Sequence, residues 1–377
     1  MGLKNSLVAT DVGLIPADWV VKTIADISSV GRGRVISHKE ISACSNPNYP
    51  VYSSQTRDSG VMGYLGTYDF HGEYITWTTD GANAGTVFHR TGRFNCTNVC
   101  GTIKVKNEVP KFVALVLARF APRHVSRHLG NPKLMNDVMK KVKIPLPTSP
   151  PEQQAIATAL SDADAYIESL EQLITKKRQI KQGVMQELLT GKRRLPGFET
   201  PWESVTLGEV AHIKTGSKNN EDKAADGQYP FFVRSDFVER INSYSYDCEA
   251  ILVPGEGRIG EIFHYIKGRF DVHQRVYAIT GFSPKVSGKF VFFYLQQHFG
   301  KWALVNTVKA TVDSLRLPTF INFEMRIPRH YEEQVQIAGL ISDLEEELTC
   351  LCSRFLKAKL LKQAMMQQLL TGKIRLA

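Results

Sequence analysis

The segment Gln186-Glu187-Leu188-Leu189-Thr190-Gly191-Lys192 returns as Gln367-Gln368-Leu369-Leu370-Thr371-Gly372-Lys373, an offset of 181 residues (Gly191 to Gly372). The register holds without a gap back to Glu152-Gln153 and Glu333-Gln334. On the way it matches Ile156 with Ile337, Ala157 with Ala338, Ser161-Asp162 with Ser342-Asp343, Lys181-Gln182 with Lys362-Gln363, and Met185 with Met366. A chain of 377 residues with such a repeat is built twice from the same parts. A gapless copy predicts a rigid element whose length matters.

That element reads as a helix. In the second copy apolar residues fall at Ile337, Ile341, Leu344, Leu348, Leu351, Phe355 and Ala358, in alternating steps of four and three, the signature of a coiled-coil seam. The first copy gives Ile156, Leu160, Ala163, Ile167, Leu170 and Ile174, with a break at Lys177. Pro147, Pro150 and Pro151 precede one helix and Pro328 the other; Gly191 and Gly372 are natural C-terminal stops. Thr-Gly-Lys ends like a phosphate-binding loop, but the upstream glycine is missing and a helix cap is the better reading. Each helix covers roughly 37 residues, about 55 Å, and two of them bury their seams by packing antiparallel.

A weaker repeat links the segments between. Trp19-Val20-Val21-Lys22-Thr23-Ile24 parallels Trp202-Glu203-Ser204-Val205-Thr206-Leu207, Gly33 parallels Gly216, and Tyr49-Pro50-Val51-Tyr52 parallels Tyr229-Pro230-Phe231-Phe232. Phe88-His89 parallels Phe263-His264, and Gly92-Arg93-Phe94 parallels Gly268-Arg269-Phe270. These short β-branched and aromatic stretches, broken by Gly, Asn and Asp, read as strands and turns. Helices near Phe112–Phe120 and Phe290–Phe299 complete each unit. The expected fold is therefore α+β: two similar mixed-sheet domains, 1–147 and 196–328, alternating with helical spacers, 148–195 and 329–377, in a pseudo-two-fold repeat. Matched anchors with unmatched residues between them predict one fold carrying two different surfaces.

A net charge of +10 and a pI near 9.2 favour a polyanionic partner. No apolar run reaches the length of a membrane span, Met1 to Trp19 has no apolar core of a secretory signal, and Met1-Gly2 with Ser6 matches a myristoylation pattern only by chance; the expected compartment is the cytoplasm. The six cysteines, Cys44, Cys96, Cys100, Cys248, Cys350 and Cys352, lack paired zinc spacing and read as reduced thiols.

Reading DNA requires Arg or Lys for phosphates and Arg, Lys, Asn, Gln, Ser or Thr for base edges. The first unit supplies Arg32, Arg34, Ser53, Ser54, Gln55, Thr56, Arg57, Asn83, Arg127, Asn131 and Lys133. The second supplies Lys218, Asn219, Asn220, Arg234, Ser235, Arg258, Arg275, Lys309, Thr311 and Arg316. Each taken singly is equally a solvated loop residue. His89 and His264 read as structural histidines at matching anchors, and Tyr52 and Phe232 as core. The basic runs Lys176-Lys177-Arg178-Lys181 and Lys357-Lys359-Lys362 are accounted for by helix dipoles and solvation. Asn46-Pro47-Asn48-Tyr49 approaches a methyltransferase loop, but it lacks the second proline and a preceding glycine-rich strand-turn-helix, so it reads as a turn before a strand. No catalytic residue, metal site or cofactor site is expected.

This architecture resembles the specificity subunits of type I restriction-modification systems. The resemblance is carried by Ile144-Pro145-Leu146-Pro147 with Glu152-Gln153, Pro328 with Glu333-Gln334, both Leu-Leu-Thr-Gly-Lys endings, and Trp19 and Trp202. It spans essentially the whole chain; Met325-Arg326-Ile327-Pro328 departs from a clean Ile-Pro-Leu-Pro. The resemblance implies two target-recognition domains, each reading half of a split double-stranded DNA site. It also implies helices that act as a spacer and bind two methyltransferase (modification) subunits, with translocase/endonuclease (restriction) subunits in the full complex. A stand-alone DNA methyltransferase and a coiled-coil scaffold without DNA affinity are the alternatives. If the helices act as a ruler, four residues inserted before Thr190 or Thr371, outside the main seam, add about 6 Å, close to two base pairs, whereas two residues rotate a unit by about 200°.

Overall fold

The heptad pattern folds as two helices of 39 residues each, Pro150–Leu188 and Tyr331–Leu369, hereafter the proximal and distal helices. The computed structural model describes residues 6–127, 130–306 and 314–376. The chain divides into two compact units, 1–169 with 355–377, and 170–354. Each unit thus holds part of both long helices. Among the described residues no helix is long and apolar enough to cross a membrane.

Within each unit the two helices run antiparallel. In the second unit Lys177 pairs with Glu347 at 2.7 Å and Lys181 with Glu345 at 2.6 Å, so rising numbers meet falling ones. In the first, Lys362 pairs with Asp164, and Arg375, just beyond the distal helix, with Glu152 at its proximal start. The apolar seam positions are all buried or half-buried; Ile156, Leu160, Ile337 and Ile341 are fully closed off. The break at Lys177 is not a break in packing. Lys177 and Lys181 continue the seam half-buried, their alkyl stems covering it and their ammonium groups reaching glutamates across it. Lys177, Lys181 and Lys362 are therefore interhelical ion-pair partners rather than solvated dipole residues. Lys359 lies on the Phe355 ring, 4.2 Å from its centroid.

The helix starts are locked by the repeated Glu-Gln pair. Gln153 is fully buried: its Oε1 accepts from Val109 N–H at 3.0 Å, and its Nε2 donates to Pro147 O at 3.0 Å and to Glu108 at 2.6 Å. Gln334, equally buried, accepts from Ser287 N–H at 2.8 Å and donates to Pro328 O at 2.8 Å and Lys285 O at 3.1 Å. Val109 and Ser287 are the N-cap residues of Pro110–Phe120 and Gly288–Val305, the helices expected near Phe112 and Phe290. One amide thus joins the strand before a long helix to the cap of the helix that backs the sheet. The preceding glutamate clamps the opposite helix end. Glu333, with no exposed side-chain surface, takes the Arg194 guanidinium in a two-pronged contact at 2.7 and 2.9 Å. Arg375 makes the same contact with Glu152 and adds Asp18 at 2.8 Å, which holds the Asp18 carboxyl below the usual carboxylate range. Arg194 and Arg375 also stand over Trp202 and Trp19, whose edges meet Phe290 and Phe112.

The strand leading into each long helix pairs antiparallel with the strand opening its unit: Lys143–Pro147 with Trp19–Thr23, and Glu324–Ile327 with Glu203–Thr206. The Met-Arg-Ile-Pro variation leaves this pairing intact, because Met325 and Ile327 still face inward. In the second unit one six-stranded mixed sheet runs in the order His212–Thr215, Val276–Thr280, Tyr246–Pro254, His264–Val272, Tyr229–Phe232, Glu239–Ile241. In the first unit the same path is split into two four-stranded sheets. Gly72 and Gly92, both at positive φ, interrupt what would be the two long central strands. The parallel strand pair occupies the same place in both: Asn95 and Cys96 beside Val51 and Tyr52, Asp271 and Val272 beside Phe231 and Phe232.

Gly33 and Gly216 lie where the first sheet strand crosses that parallel pair. A Cβ on Gly33 would stand 2.1 Å from Cys96 O, and one on Gly216 2.0 Å from Val272 O. Backbone just beyond each glycine hydrogen-bonds this crossing: Arg34 N–H, one residue on, donates to Cys96 O, and Lys218 N–H, two residues on, to Val272 O. Glycine is required here by space, not by φ.

Two outcomes are expected in denaturant unfolding of the full chain. Gln334→Leu strands the buried Ser287 N–H and removes three hydrogen bonds, a loss of about 2–4 kcal/mol. Gly216→Ala forces the strands apart and costs about 1–3 kcal/mol or more, whereas Gly183→Ala on the proximal helix, which meets nothing within 4 Å, leaves stability unchanged or raised. Unfolding midpoints equal to wild type for both Gln334→Leu and Gly216→Ala would refute these roles.

Candidate nucleic-acid interface

The crossing at Gly33 and Gly216 brings three loops together in each unit. They are the loop after Tyr49–Tyr52 or Tyr229–Phe232, the loop after Tyr74–Thr78 or Tyr246–Pro254, and the turn 97–99 or 273–275. The turns are the same backbone object: Thr97 N–H bonds Tyr52 O, and His273 N–H bonds Phe232 O; Cys100 and Val276 close them onto Thr97 O and His273 O. In the first unit the two loops and the turn border an open cleft of about 480 Å³; in the second the two loops border one of about 460 Å³, and the turn 273–275 lines an adjoining pocket of about 210 Å³ that shares Glu256.

An acid stands at the same place in both. Asp80 and Glu256 each precede a glycine on the loop beyond the strand, and each gathers two cations. Asp80 accepts from Thr79 Oγ1 at 2.7 Å and pairs with Arg32 at 3.5 Å and Lys133 at 3.9 Å. Glu256 pairs with Arg275 at 2.6 Å and Arg234 at 3.3 Å. Two positive charges around one negative leave each cluster net positive while fixing its long side chains. Burial, and then Arg234 and Arg275, push His273 below its ordinary value, and its Nδ1 accepts from Arg275 N–H at 3.0 Å. A neutral imidazole thus fixes the backbone between the two arginines.

The expected contact residues divide three ways. Arg32, Ser54, Gln55, Asn83 and Lys133 surround the first cleft or its acid; Asn220, Arg234, Ser235 and Arg258 line the second. Thr56 accepts from Asn83 Nδ2 at 3.4 Å, and Gln55 bonds Val61 O. Arg57 is exposed on the turn Arg57–Gly60, in which Asp58 and Ser59 take positive φ. Arg90 holds that turn, donating to Ser59 O at 2.6 Å from a site stacked on Tyr52 at 3.6 Å and Phe88 at 4.3 Å. Arg127 and Asn131 are exposed, and Arg316 borders a smaller pocket of about 210 Å³ beside Glu256 and Arg275. A second group is committed to the protein itself. Arg34 is held by Glu40 at 2.7 Å and Asp69 at 3.1 Å, and Arg258 by Asp236 and Glu261; these contacts raise both guanidinium pKa values. Lys218 is half-buried and its backbone bridges His273, and Asn219 caps the turn Asn220–Asp222. Lys309 and Thr311 lie outside the described residues.

Several residues of the site escaped sequence reasoning. Asp80 and Glu256 are acids, and a search for DNA contacts passes over acids; the shared acid-glycine step after a strand was the available signal. Thr97 is 4% exposed with an Oγ1 that has no partner among the described residues, at the wall of the first cleft. Phe237 is exposed on the loop after Tyr229–Phe232. The histidine anchors are out of step by one residue: Thr76 faces Phe88 while Leu252, its counterpart, faces His264. His89 bonds Glu73 at 2.5 Å, whereas His264 bonds Ser235 O at 3.0 Å and steadies the second cleft. All six cysteines are free, and Cys96 and Cys100 stand buried, 3.6 Å apart, behind the turn 97–99.

Comparison with known proteins agrees with this doubled plan. The family profile for the type I restriction modification DNA specificity domain matches twice, over residues 16–182 and 199–351. A Mycoplasma pneumoniae protein named as the N-terminus of a type I specificity subunit is 47% identical over 140 residues, 36% of this chain and 73% of that protein. A second M. pneumoniae specificity-subunit relative is 29% identical over 341 residues, 85% of this chain and 88% of its own. The specificity (S) subunit of a type I system from M. genitalium superposes with a TM-score of 0.72 at 16% identity, covering 98% of each chain. Two specificity domains in one chain, carried by the same pair of long packed helices, place the protein in the type I restriction-modification DNA specificity family, as the non-catalytic DNA specificity subunit of such a complex.

Proposed function

We propose that the two units are separate target-recognition domains, 1–147 and 196–328, reading the halves of a bipartite, asymmetric double-stranded DNA site through the two clefts. The segments 148–195 and 329–377 are the spacer, and on them two methyltransferase (modification) subunits dock, with translocase/endonuclease (restriction) subunits joining the full complex in the cytoplasm. The supporting observation is the pair of clefts with related loops and different side chains: Ser54, Gln55, Asn83 and Thr97 in one, Asn220, Arg234 and Ser235 in the other. Related loops with unlike donors and acceptors read unlike base edges. The exposed leucines 356, 360 and 361 of the distal helix offer an apolar face for the modification subunits.

The test is site selection from randomised duplexes by the chain assembled with its modification subunits. The selected site has two different half-sequences; the same half-sequence twice would refute the assignment. Arg57→Ala and Arg234→Ala weaken binding in one of two recognisable ways. Loss of a base contact costs about 1–3 kcal/mol at one position, and loss of a phosphate contact weakens all sequences and lowers the salt slope by about 1.

The spacer role has its own test, which the packing relocates. Residues inserted before Thr190 would carry Arg194 away from Glu333, because the contact lies beyond the insertion point. One heptad added to each helix at matched levels, after Ser169 and after Arg354, keeps both seams in register. It lengthens the pair by about 10 Å, near three base pairs. A stable double insertion that selects the unchanged spacing would remove the ruler role and leave the helices as docking surfaces.

A further inference from the structure

We infer that Phe237 is a wedge that enters the base stack of the half-site read by the second unit and bends the duplex there. The inference rests on the reading of that cleft as a DNA interface. Phe237 is 82% exposed, while Phe231, Phe270, Phe290, Phe293 and Phe299 of the same unit are fully buried. Among the described residues no aromatic ring or cation stands on it. Ser235 and Glu239, two residues to either side of it, line the cleft.

The ring is carried on a braced tip. Ser235 Oγ donates to Phe237 O at 3.0 Å, the His264 ring bonds Ser235 O at 3.0 Å, and Asp236 is paired with Arg258. His264 in turn lies against Phe232, 5.3 Å between centroids. A loop tied at three successive residues transmits force to what it touches, as insertion between bases requires. Arg234, beside the tip, suits a phosphate flanking an opened step, while Arg258 is spent on bracing the tip through Asp236. Apolar side chains inserted between base pairs unstack them and kink the duplex, most readily at pyrimidine–purine steps. The ring recovers on the bases the burial it lacks in the free protein. The first unit does not share the device: the fifth residue beyond Tyr52 is Arg57, and the fifth beyond Phe232 is Phe237. The bend is therefore confined to one half-site.

The experiment uses the full chain assembled with its modification subunits, and a duplex selected by that complex from a randomised pool, labelled with donor and acceptor dyes at its ends. A second copy carries 2-aminopurine in the half-site of the second unit. Binding of the wild-type complex is expected to raise energy transfer and 2-aminopurine fluorescence. Phe237→Ala loses both changes and binds roughly tenfold more weakly, with an unaltered salt slope. Phe237→Leu, still apolar, keeps the bend and stays within about threefold of wild type. Because Phe237 is solvent-exposed, both variants fold as wild type does, which circular dichroism checks. A Phe237→Ala complex that bends and brightens the duplex as wild type does overturns the wedge. Arg234→Ala separates the two readings. If it lowers affinity while Phe237→Ala is silent, only the wedge falls. If Arg234→Ala is silent and Phe237→Ala abolishes the bend, the wedge stands and the arginine contact falls. If both are silent, both fall.

Discussion

The fold depends on one buried amide used twice. A glutamine with no solvent contact must satisfy its polar atoms inside the protein, because an unmade hydrogen bond there costs more than a made one returns. Gln153 and Gln334 do so by joining the strand before a long helix to the N-cap of the helix backing the sheet. The start of the long helix is therefore fixed within its unit. The adjoining Glu152 and Glu333 fix the other helix at the same point through Arg375 and Arg194. Stability comes mainly from the apolar seam and the aromatic cores; the Glu-Gln pair supplies register. A seam of isoleucines and leucines alone tolerates sliding by a heptad, whereas a two-pronged arginine–carboxylate contact does not.

The same economy governs the clefts. The elements that set their shape are backbone hydrogen bonds and two glycines that admit no side chain, so the frame is indifferent to the residues on the loops. Those residues are free to differ, and they do: hydroxyls and amides dominate one cleft, arginines the other. The acid lining each cleft has a physical purpose in a cationic surface. Unrestrained, Arg32, Lys133, Arg234 and Arg275 would sweep a wide volume; tied to Asp80 or Glu256 they hold defined positions and retain a net positive field. Arg34 and Arg258 show the other use of the same charge, since two carboxylates apiece consume them in bracing the loops.

Much of this was legible before folding because it is periodic or local. The heptad steps gave the helices and their seams, the prolines and glycines their limits, and the matched Trp, Gly and Tyr-Pro anchors the doubled α+β plan. Lys177 looked like the end of a seam because sequence reading counts a lysine as polar along its whole length; in the structure its stem is apolar and its charge is met by Glu347. His89 and His264 looked equivalent because strand periodicity does not reveal that two chains are one residue out of step. The split of the first unit's sheet at Gly72 and Gly92 was equally unreadable, since glycine in a strand is compatible with continuation, as Gly268 demonstrates.

The sequence by itself determined that the protein is built twice, with two long helices of equal length and two related domains whose loops diverge, because these are properties of spacing and repetition along one dimension. Only the tertiary structure decided which charges meet. Asp80 collects Lys133 from far along the chain, Arg194 finds Glu333, and Arg375 finds Glu152, partnerships that no local pattern encodes. It also decided that Phe237 stays in water while its neighbours Phe231 and Phe232 are buried. The physical reason is the same in each case: burial and charge pairing depend on distance in space, and only the folded chain brings residues far apart in sequence within those distances.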